Sequence, residues 1–269
     1  MNKIEIRSLQ QIDELEDVRR LECEIWGEAD SIPTHQTITA VKNGGLVLGA
    51  YDGERLVGFQ YSFPGFNGKM TYLCSHVLAT DVEYRNKKIG EKLKLAQRDE
   101  ALKLGYSLIT WTYDPLESIN GYLNIAKLGG RVSTYIENCY GEMEDLLNNG
   151  IASDRFLVEW YIRDERPFEI EVASDCVISQ SLIEWDMNHD CLPVPLSPLP
   201  LPQSEKTVYV PVPKAFRTIK ETNLELAKEW RMKTREIYQH AFQQDWQITG
   251  FIKNSEPNVP VHFYVLTRR

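Results

Sequence analysis

The chain has 269 residues, 42% of them hydrophobic, and a formal net charge of −9 from 30 Lys and Arg against 39 Asp and Glu. This length fits one large domain or one domain with a smaller appendage, and the acidic balance argues against a duplex nucleic-acid partner, which asks for a broad basic face. No apolar run approaches the roughly 20 residues needed to cross a bilayer. The N-terminal stretch MNKIEIRSLQQIDELED has no signal-peptide core. The 5 cysteines are scattered without CxxC spacing, so they predict neither a metal site nor a disulfide framework but a reducing, cytoplasmic setting.

IEIRSL, residues 4–9, alternates and predicts a first strand. Ile12, Leu15, Val18, Leu21 and Ile25 then recur at helical spacing, and IPTHQTITAVKNGG predicts a second helix ending at Gly44 and Gly45. LVLGAYDGERLVGFQYSF places two apolar runs around Asp52 and Gly53, a dipeptide suited to a tight hairpin. MTYLCSHVLAT, residues 70–80, predicts a third antiparallel strand. From Ile89 a helix is marked by Leu93, Ala96, Ala101 and Leu104, and Gly105 stops it. SLITWTY (107–113) carries too few charges for a solvent-facing edge strand, and residues 117–128 predict a helix that stops at Gly129 and Gly130. RVSTYIENCY and RFLVEWYI supply two more strands, closing this part near residue 163. The order β-α-α-β-β-β-α-β-α-β-β implies an α+β fold with a mixed, mostly antiparallel sheet and a β-α-β crossover in its middle.

Past residue 165 the composition shifts. CLPVPLSPLPLPQ carries five of the chain's 13 prolines, which suits an extended connector near 192–203. KTVYVPV predicts a strand, residues 218–243 a long helix with Ala227, Trp230, Thr234, Ile237 and Ala241 on one face, and WQITGFI and VHFYVLTRR two further strands. Two parts are therefore expected, 1–165 and a smaller α+β part, 166–269, packed on it.

The stretch YRNKKIGEKL, residues 84–93, gathers positive charge and a glycine where a strand feeds a helix. A helix N-terminus offers unpaired amides and the positive end of the helix dipole, an anion site that phosphate commonly fills. Arg85, Lys87 and Lys88 add charge, and Gly90 admits a bulky group. The Gly-Lys-Ser/Thr ending of a nucleotide P-loop is absent, and only one glycine of a dinucleotide fingerprint is present. A basic first turn that is merely solvated is the plainer account of these ten residues alone.

With its flanking segments, the stretch resembles the GCN5-related N-acetyltransferase (GNAT) superfamily, in a bacterial branch with a C-terminal extension. The resemblance covers residues 3–163. Arg85-Asn86-Lys87-Lys88-Ile89-Gly90 is similar to the superfamily's Arg/Gln-x-x-Gly-x-Gly/Ala, with Lys88 at the middle glycine. SHVLATDVEYR resembles its fourth strand, and TWTYDPLESINGYLNIAKLGG the stretch that meets the coenzyme thiol. The resemblance implies that Lys87, Lys88, Ile89, Gly90 and Glu91 hold the pyrophosphate of an acyl-coenzyme A together with Arg85. It also implies that main-chain groups of Leu78, Ala79 and Thr80 pair with the pantetheine arm as an added strand does, with Asn120 a further contact. The donor is acetyl-coenzyme A or another acyl-coenzyme A, with succinyl open and Arg131 and Arg155 as cations for its carboxylate. No metal is implied.

Moving an acyl group from a thioester to an amine needs a proton acceptor, a stabilised carbonyl oxygen and a proton donor for the thiolate. The superfamily's usual donor tyrosine falls on Ile125 here, with Tyr122 and Asn124 as neighbours that a register shift brings into its place. His76, on the predicted coenzyme strand, suits the base by its ordinary pKa near 6.5, with Asp114, Glu24 and Glu28 as rivals. Cys74 and Cys139 lack the partners of a nucleophile, which favours direct transfer in a ternary complex. The expected function is an N-acyltransferase acting on the amine of a small molecule such as an amino acid. Two alternatives stand beside it: a coenzyme A-binding module without turnover, and a protein-modifying acetyltransferase.

Overall fold

A computed structural model of the chain describes residues 3–141, 150–164 and 174–268. The chain divides into two compact units, Met1–Trp111 with Tyr161–Glu165, and Thr112–Trp160 with Arg166–Arg269. The expected boundary at 165–166 lies outside the described residues.

The first unit is built on β1 (Glu5–Ser8), α1 (Ile12–Trp26), α2 (Thr34–Lys42), β2 (Leu46–Asp52), β3 (Arg55–Phe66), β4 (Thr71–Thr80), α3 (Ile89–Lys103) and β5 (Leu108–Tyr113), whose last two residues belong to the second unit. Strand order is β1-β2-β3-β4-β5. The first three pairs are antiparallel and β4–β5 is parallel, as expected of a crossover through α3. Leu15, Val18 and Leu21 of α1 pack on Val47, Phe59, Tyr61 and Ala79 of the sheet. Ile12, predicted on that stripe, is instead exposed because it opens the helix, where Glu14 Oε2 accepts from the Gln10 and Gln11 amides.

Two irregularities in β4 shape this unit. Tyr61 pairs with Val77 and Ser62 with Ser75, so His76 is an extra residue with no partner on β3, a bulge that re-aims the strand. On its other side β4 meets β5 only through Leu73–Ile109 and Cys74–Thr110. From Ser75 to Thr80 no strand pairs with that edge among the described residues.

The second unit continues through α4 (Ser118–Gly121), which widens into a π-helical turn over Tyr122–Lys127, then β6 (Arg131–Ile136), β7 (Arg155–Tyr161), α5 (Ser174–Ser179), β8 (Trp185–Met187), β9 (Pro193–Pro195), β10 (Thr207–Pro213), α6 (Phe216–Thr222), α7 (Leu224–Gln243), β11 (Trp246–Ile252) and β12 (Val261–Arg268). Its strands run β7-β6-β11-β12-β10. The single helix expected over 218–243 is two helices. Asn223, at φ −148° and ψ 86°, breaks the chain, and its side chain accepts from the Leu226 amide to cap α7. The proline-rich run is extended but not loose. Pro193–Pro195 pairs with β8, the Pro193 carbonyl accepts from Trp230 Nε1 at 2.8 Å, and the Pro195 carbonyl accepts from Lys233 Nζ at 2.6 Å. Proline lacks an amide hydrogen but keeps its acceptor, so α7 can hold the run by its oxygens.

The core of this unit is aromatic and ionic. Phe156 meets Tyr238 at 4.7 Å and Tyr264 at 5.5 Å between ring centroids, edge to face. Beside them the fully enclosed Asp154 receives both nitrogens of the Arg235 fork at 2.8 Å, the Tyr135 hydroxyl at 2.5 Å and the Asn138 amide at 3.0 Å. Removing one partner of such a buried pair strands the other charge. Asp154→Ala is therefore expected to cost about 3–5 kcal/mol, and Tyr135→Phe, which deletes one hydrogen bond, about 1 kcal/mol. Urea unfolding of the two variants checks the order.

Candidate active site

Asp81 sets the frame of the loop between β4 and α3. Its Oδ1 accepts from the Glu83 amide at 2.9 Å, shaping a 3-10 turn over Val82–Tyr84, and its Oδ2 accepts from Arg55 at 2.7 Å. Tyr84 is anchored by its hydroxyl to Asp52 at 2.9 Å, and the Lys87 ammonium lies 4.1 Å from the Tyr84 ring centroid. Beyond this anchor Asn86 (φ 63°) and Lys88 (φ 59°) are both left-handed, a conformation costing a non-glycine residue roughly 1–2 kcal/mol. Lys88 thus adopts at the N-cap of α3 the backbone that glycine takes freely.

The loop leaves its donors unspent. The first helical bond of α3 runs from the Lys92 amide to the Lys88 carbonyl. The amides of Asn86, Lys87, Lys88, Ile89, Gly90 and Glu91 donate to no acceptor among the described residues. Arg85 and Lys88 form no ion pair among those residues and are exposed. A Cβ at Gly90 would meet only Leu78 Cδ2, at an ordinary 3.7 Å, and its φ is not left-handed. Packing therefore does not require the glycine, and the space over the helix mouth stays open to a guest. Converging free amides, two mobile cations and an open approach fit a phosphate or pyrophosphate.

This mouth continues into β4. Leu78, Ala79 and Thr80 pair on one side with Gln60, Phe59 and Gly58 of β3, and alternate residues turn their amide and carbonyl to the edge that lacks a strand. His76 sits in the bulge with its ring 5.5 Å from Phe63 and 6.2 Å from Tyr61, edge to face. Partial burial lowers its pKa below the ordinary imidazole value, and with the residue otherwise exposed the neutral ring can accept a proton.

The remaining predicted residues fall in the second unit or are otherwise engaged. Tyr122 lies in the π-helical turn with the amines of Lys127 and Lys253 at 5.6 Å and 5.3 Å from its ring; Asn124 is buried, Asn120 exposed, and Ile125 wholly buried. His76 belongs to the first unit, Tyr122 and Asn124 to the second. Asp114 is committed to a buried ion pair with Arg231 at 2.5 Å and accepts from the Leu116 amide at 2.8 Å, which removes it as a free base. Glu24 and Glu28 are exposed, Glu28 within 3.8 Å of Arg19. Arg155 donates to the Asp154 carbonyl and covers Tyr140, and Arg131 is likewise engaged. A depression of about 470 Å³ along α7, lined by Met232, Lys233, Arg235, Glu236, Gln239 and His240 among others, contains none of the predicted residues. Among the described residues no group of His, Cys, Asp and Glu is placed to hold a metal ion, and no helix is long and apolar enough to cross a membrane.

Two buried polar residues escaped the sequence reading. Glu22 is almost fully enclosed and accepts from the Ile32 amide at 3.0 Å. Lys94 is 2% exposed on α3. The signals were present: Glu22 falls on the helical stripe 15-18-22-25, and Lys94 with Gln97 on 90-94-97-101. Polar residues on buried stripes mark sites where function or a network outweighs burial cost.

No protein-family model and no curated protein matches the chain. Solved structures do. A GNAT-family acetyltransferase from Streptococcus pneumoniae is 13% identical over 58% of this chain and 98% of its own, at a TM-score of 0.48. The ribosomal-protein-S18-alanine N-acetyltransferase of Escherichia coli is 15% identical over 64% and 99%, also at 0.48. A GNAT-family acetyltransferase from Elizabethkingia anophelis, solved with acetyl-CoA bound, is 17% identical over 60% and 99%, at 0.43. GNAT-family acetyltransferases are among the solved structures this chain is similar to.

Burial pushes the Glu22 pKa above the ordinary carboxyl value, against the pull of the Ile32 amide and Arg19. The native state then keeps this proton where the unfolded chain loses it, so the contribution is full below about pH 4.3 and is lost as pH rises through the folded value. Glu22→Gln keeps an acceptor for Ile32 without the titration. The variant should match the wild type at pH 4 and exceed it in stability at pH 8; a stability difference that does not grow with pH would show that Glu22 is solvated.

Proposed function

We propose that the protein is an acyl-coenzyme A-dependent N-acyltransferase of the GNAT kind, transferring an acetyl or succinyl group directly to the amine of a small molecule such as an amino acid. The observation that carries this reading is the run of six unpartnered amides from Asn86 to Glu91, continuous with the unpaired edge of β4. The amides hold the pyrophosphate, with Arg85 and Lys88 closing over it. The pantetheine arm then lies along Thr80, Ala79 and Leu78, its amides exchanging hydrogen bonds with main-chain groups as an added strand does.

Length supports the same register. From phosphate oxygen to sulfur the arm has roughly twelve bonds, the equivalent of four residues, or about 14 Å extended. Four residues back from Thr80, at about 3.3 Å each, is His76 in the bulge. A thioester carbonyl arriving there meets main chain that β3 does not pair, a source of N–H donors for its developing charge. The neutral His76 ring is the nearest titratable candidate to accept the proton of the attacking amine.

A second reading keeps the coenzyme site without the chemistry. Its support is Ile125, an apolar and wholly buried residue where the resemblance places a proton-donating tyrosine. Titrating the protein with coenzyme A, then reading thiol release from acetyl- and succinyl-coenzyme A over a panel of amino acids and polyamines, separates the two. Turnover with a free amine supports the enzyme, binding without turnover supports the module, and acylation of proteins alone would move the acceptor to that class.

The loop geometry fixes the order of effects on affinity. Because Gly90 is not needed for packing, Gly90→Val should fold normally yet weaken coenzyme A by tenfold or more, filling the approach to the amides. Lys88→Gly removes an exposed charge but relaxes a left-handed residue, so its loss of affinity should be less than tenfold, below the roughly 1.5–3 kcal/mol of a charge-assisted contact. Calorimetry that found the reverse order would make the site a simple charge patch.

A further inference from the structure

Lys94 occupies an unusual place in the first unit. Its side chain leaves α3, is shut from solvent, and finds no carboxylate among the described residues. The Nζ atom donates to Ser75 Oγ at 2.7 Å and lies 3.6 Å from the Trp111 ring centroid. Ser75 and Trp111 are the residues that immediately follow Cys74 and Thr110, the last pair joining β4 to β5. One buried amine therefore touches both strands at the point where they stop pairing, one residue before the bulge at His76.

The surroundings keep this amine in place without neutralising it. From β3 come Gln60 and Ser62, from β4 Ser75 and Cys74, from β5 Trp111, and from α3 Gln97. Cys74 is the one titratable group among them, and burial raises its thiol pKa, so it is an uncharged neighbour at pH 7. Ser75 Oγ already accepts from Lys94, and weakly from Gln60 at 3.4 Å. Its own hydroxyl hydrogen has no acceptor among the described residues. A buried amine that donates to a hydroxyl, whose hydrogen is in turn unspent, is half of a proton relay.

We infer that Lys94, acting through the Ser75 hydroxyl, supplies the proton taken up by the coenzyme A thiolate as it leaves. The inference rests on the acyltransferase reading, which brings the thioester to the bulge next to Ser75. As the C–N bond forms, the C–S bond breaks and sulfur departs with the electron pair. Ser75 gives its hydroxyl proton to sulfur and takes one from the Lys94 ammonium, which ends as a neutral amine. His76 takes the proton released by the acceptor nitrogen and passes it to water, and Lys94 regains one from water through the Ser75 hydroxyl once the products have left, so the cycle balances with no other reactant. Burial also brings the lysine pKa well below its ordinary value, toward that of a thiol near 8.5, the match that efficient proton transfer asks for. The relay would supply this proton without the tyrosine that Ile125 replaces.

Coenzyme A itself is the probe, through the ultraviolet absorbance of its thiolate when bound. A donor worth one charge-assisted hydrogen bond changes the thiol equilibrium about tenfold. The thiolate fraction of bound coenzyme A at pH 7 should be about tenfold higher with the wild type than with Lys94→Met, and the same loss should appear in Ser75→Ala, while affinity at pH 6 changes less than twofold in either. A merely structural lysine would alter affinity and leave the thiol midpoint where it was. Equal thiolate fractions in the three proteins overturn the inference, as does a loss confined to Lys94→Met, which would remove Ser75 from the path. Ser75→Ala keeps the test open should Lys94→Met fail to fold. Wild-type protein that binds no coenzyme A sinks the acyltransferase reading itself; binding with an unshifted thiol sinks only the relay.

Discussion

Among the described residues, β4 has a strand on each side for only two of its residues, Leu73 and Cys74. A strand interior normally spends its amides and carbonyls in both directions, because an unpaired backbone group away from water is costly. From Ser75 to Thr80 the groups on the side away from β3 meet no strand among the described residues, and most of the first unit follows from protecting that arrangement. β3 holds the other edge through a twelve-residue strand, α1 and α2 fill one face with apolar side chains, and α3 covers the other. The loop after β4 repeats the pattern, with its own amides unspent and its shape held by Asp81, Arg55 and Tyr84. Donors left free in two adjoining segments form a continuous polar track, the feature on which the proposed coenzyme A site rests.

The order of elements was readable because it rests on local signals. Hydrophobic period, the Asp52-Gly53 turn and the stops at Gly44, Gly105 and Gly129 each bear on a few consecutive residues, and all three glycines are left-handed in the structure. The site was readable only in outline. Lys88 and Asn86 take a glycine-like backbone without being glycine, so composition conceals what the chain does there. Position 76 was chosen for its chemistry, yet the bulge that gives it meaning depends on a one-residue mismatch between two strands, which no single strand encodes.

Long-range pairing explains most of the remainder. Asp114 looked like a loose carboxylate at a strand end, but its partner Arg231 stands 117 residues away. Asp154 gathers Tyr135 and Asn138 from β6 and the turn after it, and Arg235 from α7, 81 residues away. The break at Asn223 hid inside an apolar stripe that runs on through Ala227 and Trp230, because a stripe records which side is buried and not whether the backbone is continuous. Buried polar residues are hidden for the same reason: Glu22 and Lys94 sit where helix periodicity places core side chains, and only the three-dimensional neighbours show that one meets an amide and the other a hydroxyl.

The π-helical turn at Tyr122–Lys127 holds one more residue than an α-helical turn spanning the same rise. Its ends are fixed from outside. A Cβ on Gly121 would strike the Tyr264 hydroxyl, and one on Gly130 would strike Val158. Between two such fixed points a helix can close its hydrogen bonds with or without the extra residue, which turns every side chain on one side of the change by about 100°. For this segment, a change in chain length of a single residue is thus a gentler event for the fold than many substitutions, and a larger one for whatever Tyr122 and Asn124 face.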